Sequence, residues 1–460
     1  MSLFNIDEFE NVDGFIGWLK KSSQSSIDSV ETDSRKDLSA SLFIPIVGER
    51  FDGHEFIAKA IDSGVTAICT AKELSEDLLR HDVTFFKVSD TTGFYQQLAK
   101  YHRLKFPNLK VLAITGSCGK TSTKEIAASL VSDDSDKVLK TIGNTNNHIG
   151  VPQNLLRLSS NHQFAVLELG TNHFGEIKTL TDLVLPDTAM ITCIGGAHLE
   201  HFKSREGVAK EKSTIFSTLG KMSTAVVPFV ELNRPAVKAA IDGLNIVSFG
   251  DFDSKSEFHG QETKASLSNS TVRFKFSDSE FSVDWNLVGN HQAVNAAGAI
   301  ALVKAVVPDL SIEQIKGRLA KVQLPGFRGQ ISDVDGITWI NDAYNANAES
   351  TISTLNWLKS LDEKGRFIVI LGDMLELGDV SIEEHQSVLK FLNDHPFFSE
   401  LVLVGPKYQE SFEQPIFSGL NPTFYDNSEA AAPGVKALLQ FGDNVFLKGS
   451  RGLRLEKVIL

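Results

Sequence analysis

Six consecutive residues, Gly116-Ser117-Cys118-Gly119-Lys120-Thr121, combine the groups needed to hold a polyphosphate. Glycines let backbone N–H groups approach phosphate oxygens, and a helix opening at that point adds positive potential. The lysine can reach terminal phosphates, and the threonine hydroxyl can ligate Mg²⁺. The spacing, G-x-x-G-K-T, is two residues shorter between the glycines than the common form of the phosphate loop. A β-branched run, Val111–Thr115, precedes it, and an amphipathic helical pattern opened by Lys120 and Thr121 follows. That context favours nucleotide binding over the alternative, a structural glycine turn. Cys118 reads as a small residue accepted by a tight loop, ahead of a redox role.

Glu168 and His198, in LELGTNH and GGAHLEHF, fall at or just beyond the ends of predicted strands. On neighbouring parallel strands they would face the phosphate loop. A carboxylate is the expected Mg²⁺ ligand and a histidine the less usual one. Spacing alone leaves open that each is an ordinary loop residue. GVAKEKSTIF (207–216) reads as a helix with Val208, Ile215 and Phe216 apolar. On its periodicity Lys210 and Lys212 are solvated lysines.

The elements that must position these groups follow a repeated rhythm of short β-branched runs, Gly/Asn/Asp loops and helical patterns. Strands are predicted at 111–115, 138–141, 164–169, 188–194 and 224–229, with Pro152 in a first helical turn after the second of them. Such alternation predicts a parallel sheet of βαβ units, with ligands beyond the carboxyl ends of the strands. Between Ser254 and Asn286 the pattern becomes an antiparallel excursion (271–276, 281–285), followed by helices over 291–307 and 311–322. Gln323–Gln330, with Pro325, Gly326 and Gly329, reads as a linker. The βα rhythm then restarts with strands at 338–340, 367–371, 401–404 and 445–447.

A chain of 460 residues predicts about three domains. The expected divisions are a small N-terminal α/β domain over 1–105, a central domain with a mostly parallel sheet over 106–325, and a Rossmann-like α/β domain over 326–460. With 42% hydrophobic and 22% charged residues the chain is globular, not disordered. Its 45 basic and 58 acidic residues leave a net charge of −13, which argues against nucleic acid or anionic membrane as a partner of the overall field. Phosphates would have to be held by a few local groups against that sign. Cys69, Cys118 and Cys193 suit a reducing compartment and lack zinc spacing. No basic-then-apolar leader opens the chain, and no run approaches the ~18 apolar residues of a membrane span. The expectation is a cytoplasmic protein with no membrane span.

Several strings together resemble the Mur ligase family: ITGSCGKTSTKE (114–125), TIGNTNNHIGVP (141–152), ELGTNHFGEI (168–177), GGAHLEHFKSREGVAKEKSTIF (195–216), GNHQAVNAAGA (289–299), NDAYNANAES (341–350), LGDMLELGD (371–379) and LKGSRG (447–452). With DSR (33–35) and FDGHEFIAKAIDSGVTAI (51–68), the resemblance covers essentially the whole chain. It implies a three-domain α/β ligase whose central domain is a P-loop-type ATPase. The implied activity is ATP-driven joining of D-alanyl-D-alanine to UDP-N-acetylmuramoyl-tripeptide through an acyl phosphate, in peptidoglycan synthesis. A monomer is expected.

The resemblance also implies roles. Gly116, Ser117, Cys118, Gly119 and Lys120 cradle ATP; Thr121 and Glu168 ligate one Mg²⁺; His198 belongs to a second magnesium site; Lys212 matches a lysine carbamylated in several relatives. Asn290, His291 and Asn295 face the adenine, Arg328 the γ-phosphate and Asp342 the ribose, with Tyr344, Asn345 and Asn347 on the same nucleotide-facing loop. Lys120, His198, Lys212 and Arg328 are the catalytic candidates. Ser34 and Arg35 are candidates for the diphosphate or uracil, against a plain polar turn; Asn146 and Asn147 for the peptide or sugar; Asn172 is a further substrate-binding candidate, with the acceptor contacts open between it and the C-terminal domain. Closure of the domains about the linker is expected.

Two departures from the family pattern stand out. The usual Y-N-A-N-P reads Y-N-A-N-A, so Ala348 is expected to loosen a helix start, and PGFRGQ places the arginine at Arg328 only to within one residue. The Asp-Asn-Pro-Arg string of ligases adding a diamino acid is absent, as is the Asn-Lys-x-Asp string of GTPases. A folate polyglutamylating ligase would not need the leading domain.

Overall fold

A computed structural model describes residues 2–48, 51–196, 198–267, 269–413 and 415–459. The chain is α/β with mostly parallel sheets and separates into two compact units.

The first unit comprises residues 1–109, 144–163 and 182–184. Its five-stranded sheet has the order Phe15–Lys20, Thr84–Val88, Ala67–Thr70, Ser41–Phe43, Ser29–Glu31, parallel except for the first pair. One face buries Phe43, Ile57, Ile68 and Phe85. Helix Thr91–Leu104 starts at Asp90, whose carboxylate accepts from the Gly93 N–H, and packs on helix Gly150–Leu155. The loop before that second helix carries Asn146 and Asn147. It lies within this unit although its flanking strands do not.

The second unit holds a nine-stranded sheet. Its order is Ser279–Trp285, Ser270–Phe276, Phe258–Lys264, Asn245–Gly250, Thr224–Pro228, Thr188–Ile191, Lys110–Thr115, Phe164–Glu168, Val138–Lys140. The last seven are parallel, and the two strands at the other edge continue the same sheet antiparallel. The antiparallel excursion thus extends the main sheet. Val111 to Thr115 are buried, as expected of a strand covered on both faces. Helix Asn290–Lys304 is sunk between the sheet and helix Lys120–Val131. Its Ala293, Ala296, Ala297 and Ala299 supply the short side chains that close approach needs.

Strand Lys110–Thr115 lies between Phe164–Glu168, which leads toward one edge, and Thr188–Ile191, which leads toward the other. This is the switch point of the sheet, where an open α/β fold forms its ligand crevice. The phosphate loop leaves the carboxyl end of that strand.

A six-stranded sheet in the same unit has the order Gln330–Val334, Ile337–Asn341, Asn444–Lys448, Phe367–Gly372, Glu400–Val404, Thr423–Tyr425. All but the first pair are parallel. Among the described residues no helix is long and apolar enough to cross a membrane.

Candidate active site

Gly119 opens helix Lys120–Val131 from a left-handed conformation, φ 78°, and a Cβ there would come within 2.6 Å of the Asn295 side chain. A Cβ at Gly116 would lie 1.8 Å from Thr192 Oγ1. Glycine is required at both positions by close approach, and at Gly119 by its left-handed backbone as well. Lys120 folds back so that its ammonium donates to the Gly116 carbonyl at 2.7 Å. Ser117 Oγ donates to the Gly195 carbonyl at 3.1 Å, which ties the loop to the segment after Thr188–Ile191.

Thr121 and Glu168 meet: the hydroxyl donates to the carboxylate at 2.9 Å, and Glu168 is buried at the end of its strand. Arg328 joins them, its Nη2 donating to Thr121 Oγ1 at 3.3 Å. The guanidinium lies 3.6 Å from the centroid of the Tyr344 ring, a stacking that holds its plane in place.

Beside Arg328 is a small cavity of about 30 Å³ lined by His291, Gln292, Leu324, Arg328, Asp342 and Trp357, among others. Burial pushes the His291 imidazole down to about 4, against the pull of Asp342. The ring is therefore neutral near pH 7, and its buried Nδ1 has no hydrogen-bond partner among the described residues. Asp342 accepts from Lys448 Nζ at 2.6 Å and from Thr354 Oγ1 at 3.2 Å.

Lys212 corrects the sequence reading. It is 1% exposed, not solvated, because helix Arg205–Ser213 turns Val208, Ala209, Glu211 and Lys212 inward together. Burial pushes its amine down to about 7, and the positive charge of Lys120 adds to the effect. Lys210 is exposed, as expected. His198 caps the short helix Leu199–Phe202 from a left-handed backbone, and its Nδ1 lies 2.6 Å from Glu376 Oε2. That contact draws the Glu376 carboxyl below its usual range. Arg205 pairs with Glu349 at 2.5 Å, and Glu349 also accepts from the Gly196 N–H at 3.1 Å. Glu349, Glu376 and Lys448 were not singled out in the sequence. Only Lys448, at the carboxyl end of a parallel strand, carried a positional signal.

Other candidates are engaged locally. Asn290 Oδ1 accepts from the Glu262 N–H at 2.9 Å, and Asn345 Oδ1 from the Ala346 N–H at 2.9 Å. Asn295 lies against Gly119, not in the cavity lined by His291. Asn347 caps helix Ala348–Ser360 in a reciprocal box with Ser350, so the helix start is secured and not loosened by Ala348. In the first unit, Ser34 is buried. Arg35 is exposed and forks onto Asp33 at 2.8 and 2.7 Å, which holds the Asp33 carboxyl well below the carboxylate range. Asn147 accepts from Gly150 N–H at 2.9 Å. Asn172, in the second unit, is exposed, and its N–H donates to Glu176 at 2.7 Å.

Among the described residues no group of three or more His, Cys, Asp and Glu side chains converges to hold a metal unaided. A hydroxyl and one carboxylate beside a phosphate loop are instead the hard-oxygen donors that suit Mg²⁺ shared with bound phosphates.

The Mur ligase middle domain matches residues 114–303, the Mur ligase glutamate ligase domain matches 328–451, and the Mur ligase family catalytic domain matches 26–103. The UDP-N-acetylmuramoyl-tripeptide--D-alanyl-D-alanine ligase of Haemophilus influenzae is 34% identical over 94% of this chain and 93% of its own. The crystal structure of MurF from Acinetobacter baumannii superposes with a TM-score of 0.89 at 30% identity, over 99% of this chain and 98% of that one. MurF from Thermotoga maritima in complex with ADP gives 0.81 at 25% identity, over 94% and 96%. With full-length similarity at this level, three family matches in order and a phosphate loop at the sheet's switch point, the chain belongs to the Mur ligase family.

Proposed function

We propose that this protein uses ATP to join the terminal carboxylate of UDP-N-acetylmuramoyl-tripeptide to the amine of D-alanyl-D-alanine, forming the UDP-muramyl-pentapeptide of peptidoglycan synthesis. The observation that carries this reading is the convergence of Lys120, Thr121, Glu168 and Arg328 at one loop. The substrates are those named for the relative that is 34% identical.

The backbone N–H groups of 116–119 and the Lys120 ammonium hold the phosphates of ATP. Arg328, fixed on Tyr344, neutralises the γ-phosphoryl group as it transfers. A carboxylate oxygen of the tripeptide attacks that phosphorus, ADP leaves, and an acyl phosphate forms. The dipeptide amine then attacks the acyl carbon, phosphate leaves with the C–O bond, and the amine loses a proton. The chain contributes positioning and placed positive charge. Thr121 and Glu168 are the residues that would hold one Mg²⁺, and His198 and Lys212 those that would serve a second. Such an ion neutralises phosphate charge and aligns the phosphoryl group. Lys212 would act as its carbamate, formed when CO₂ adds to a neutral amine, the form that burial favours here.

His291, Asn290 and Asn295 are assigned to the adenine side and Asp342 to the ribose, with Tyr344 and Asn345 on the same nucleotide-facing loop. Domains 1–105, 106–325 and 326–460 are assigned to the UDP end, ATP and closure with the dipeptide. Ser34, Arg35, Asn146 and Asn147 share one compact unit, which supports a common substrate role. Asn172 is assigned to substrate binding. A cytoplasmic monomer is the proposed working form. Phosphate release tests the reading: it should need ATP, UDP-muramyl-tripeptide and D-alanyl-D-alanine together, and release without the dipeptide would reject it.

A further inference from the structure

Two of the three cysteines meet inside the phosphate loop's own contacts. Cys118 Sγ and Cys193 Sγ are 2.7 Å apart, closer than two sulfurs in ordinary packing, and both residues are half-buried and unbonded. The backbone brings them together from two sides: Ser117 N–H donates to the Cys193 carbonyl at 3.0 Å, and Cys118 N–H donates to Cys193 Sγ at 3.1 Å. Thr192 Oγ1 in turn donates to the Cys118 carbonyl. The amides of Ser117 and Cys118 are therefore aimed at Cys193. A nucleotide that takes those N–H groups must draw them away.

We propose that Cys118 and Cys193 form a reversible disulfide on exposure to hydrogen peroxide, and that this bond closes the phosphate loop to nucleotide. The bond itself stands on the geometry; its consequence rests on the nucleotide-binding reading above. The Cys193 sulfur attacks one peroxide oxygen, the O–O bond breaks, and the released hydroxide takes the thiol proton as water. The resulting sulfenic acid is attacked by the Cys118 sulfur. An S–S bond forms, the S–O bond breaks, and a second water leaves with the Cys118 proton. Two thiols are oxidised by two electrons and one peroxide is reduced to two waters.

Cys193 is suited to the first step. Hydrogen bonds from the Cys118 thiol and N–H, with the charges of Lys120 and Lys212, pull its thiol below the ordinary range against the effect of burial. Cys69 is the internal control, since it is fully buried in strand Ala67–Thr70 and burial pushes its thiol up.

The full chain is treated with hydrogen peroxide, with and without saturating ADP, and mapped by non-reducing peptide mass spectrometry. ADP affinity is measured before and after. The expected result is one cross-linked peptide pair, Cys118 with Cys193, two hydrogens lighter than the free peptides and undone by dithiothreitol. It should form about tenfold more slowly under ADP, and the oxidised chain should bind ADP about tenfold more weakly. Cys193→Ser should keep the untreated affinity and lose the reversible response. Absence of the cross-link, oxidation that stops at sulfinic or sulfonic acid, or an equal reversible response in Cys193→Ser would overturn the bond. A cross-linked chain that binds ADP undiminished would overturn the closure. If the untreated chain binds no ADP, the nucleotide reading falls and the closure with it, while the peptide map still decides the bond.

Discussion

Arg328 reaches Thr121: a guanidinium on the loop before the six-stranded sheet donates at 3.3 Å to the hydroxyl that opens the helix of the phosphate loop. The same hydroxyl donates to Glu168, so one threonine stands between a placed cation and a buried carboxylate. The stacking of Arg328 on Tyr344 sets the plane from which it can approach a phosphoryl group. Lysine cannot reproduce a stacked, planar fork. Arg328→Lys is expected to lower kcat by about 10²-fold, the usual loss when one placed donor to transition-state charge is removed, with a smaller change in KM for ATP. Steady-state kinetics on the variant and the parent check this, and a change confined to KM would assign Arg328 to ground-state binding only.

Glu168→Gln keeps the shape of the side chain and removes its charge. We expect the variant to fold, because the amide oxygen can still accept from Thr121, and to need about tenfold more Mg²⁺ for half-maximal phosphate release. A magnesium titration of the two proteins decides it, and superimposable curves would remove Glu168 from the metal site.

Lys212 makes a prediction of opposite sign for stability and for activity. Its amine is neutral in the folded chain above about 7, whereas the exposed lysine of the unfolded chain holds its proton to about 10.5. Between those values the unfolded state binds more protons, so this group's contribution to stability improves as pH rises and is at its worst below about 7. Lys212→Met should therefore be more stable than the parent in metal- and CO₂-free buffer at pH 7, by on the order of 4 kcal/mol, with the gap closing toward pH 10. The same variant should be inactive. Denaturant melts at the two pH values give the first result; a constant gap would mean that the amine is not held neutral. Labelling with ¹³C-bicarbonate should give a carbamate resonance in the parent and none in Lys212→Met.

Asn347 and Ala348 offer a purely structural test. Asn347 sits in an extended backbone, φ −142° and ψ 167°, the conformation a following proline demands, and Ala348 occupies the first helical position. Ala348→Pro is expected to be neutral or to add about 0.5 kcal/mol by restricting the unfolded chain, whereas Asn347→Ala should cost about 1 kcal/mol by removing the cap. Thermal melts of both variants measure these directly.

Much of the fold was legible because parallel strands are continuous β-branched runs. Val111–Thr115, Phe164–Leu169 and Phe367–Leu371 announce themselves, and the structure moves their ends by one residue at most. The linker reading ends at Gln330 and assigns no element to the rest of strand Gln330–Val334, although the Asp335-Gly336 pair after it, both with positive φ, is a strong hairpin signal. Strand Phe258–Lys264 escaped because it is polar and carries Gly260, placed where a side chain would strike the Ala293 carbonyl at 2.1 Å. The phosphate loop could be read from six residues because its chemistry is local. The burial of Lys212 could not, because it depends on which face helix Arg205–Ser213 turns inward. Nor could the pairing of His198 with Glu376, residues far apart in the chain that only tertiary packing unites.

The central claim is that ATP is cleaved by the tripeptide's own carboxylate. Tripeptide substrate labelled with ¹⁸O in its terminal carboxylate, incubated with ATP, Mg²⁺ and D-alanyl-D-alanine, puts that claim to mass spectrometry of the released phosphate. One ¹⁸O per phosphate, appearing in step with pentapeptide, is the predicted result. Unlabelled phosphate, or labelled phosphate without pentapeptide, would contradict it.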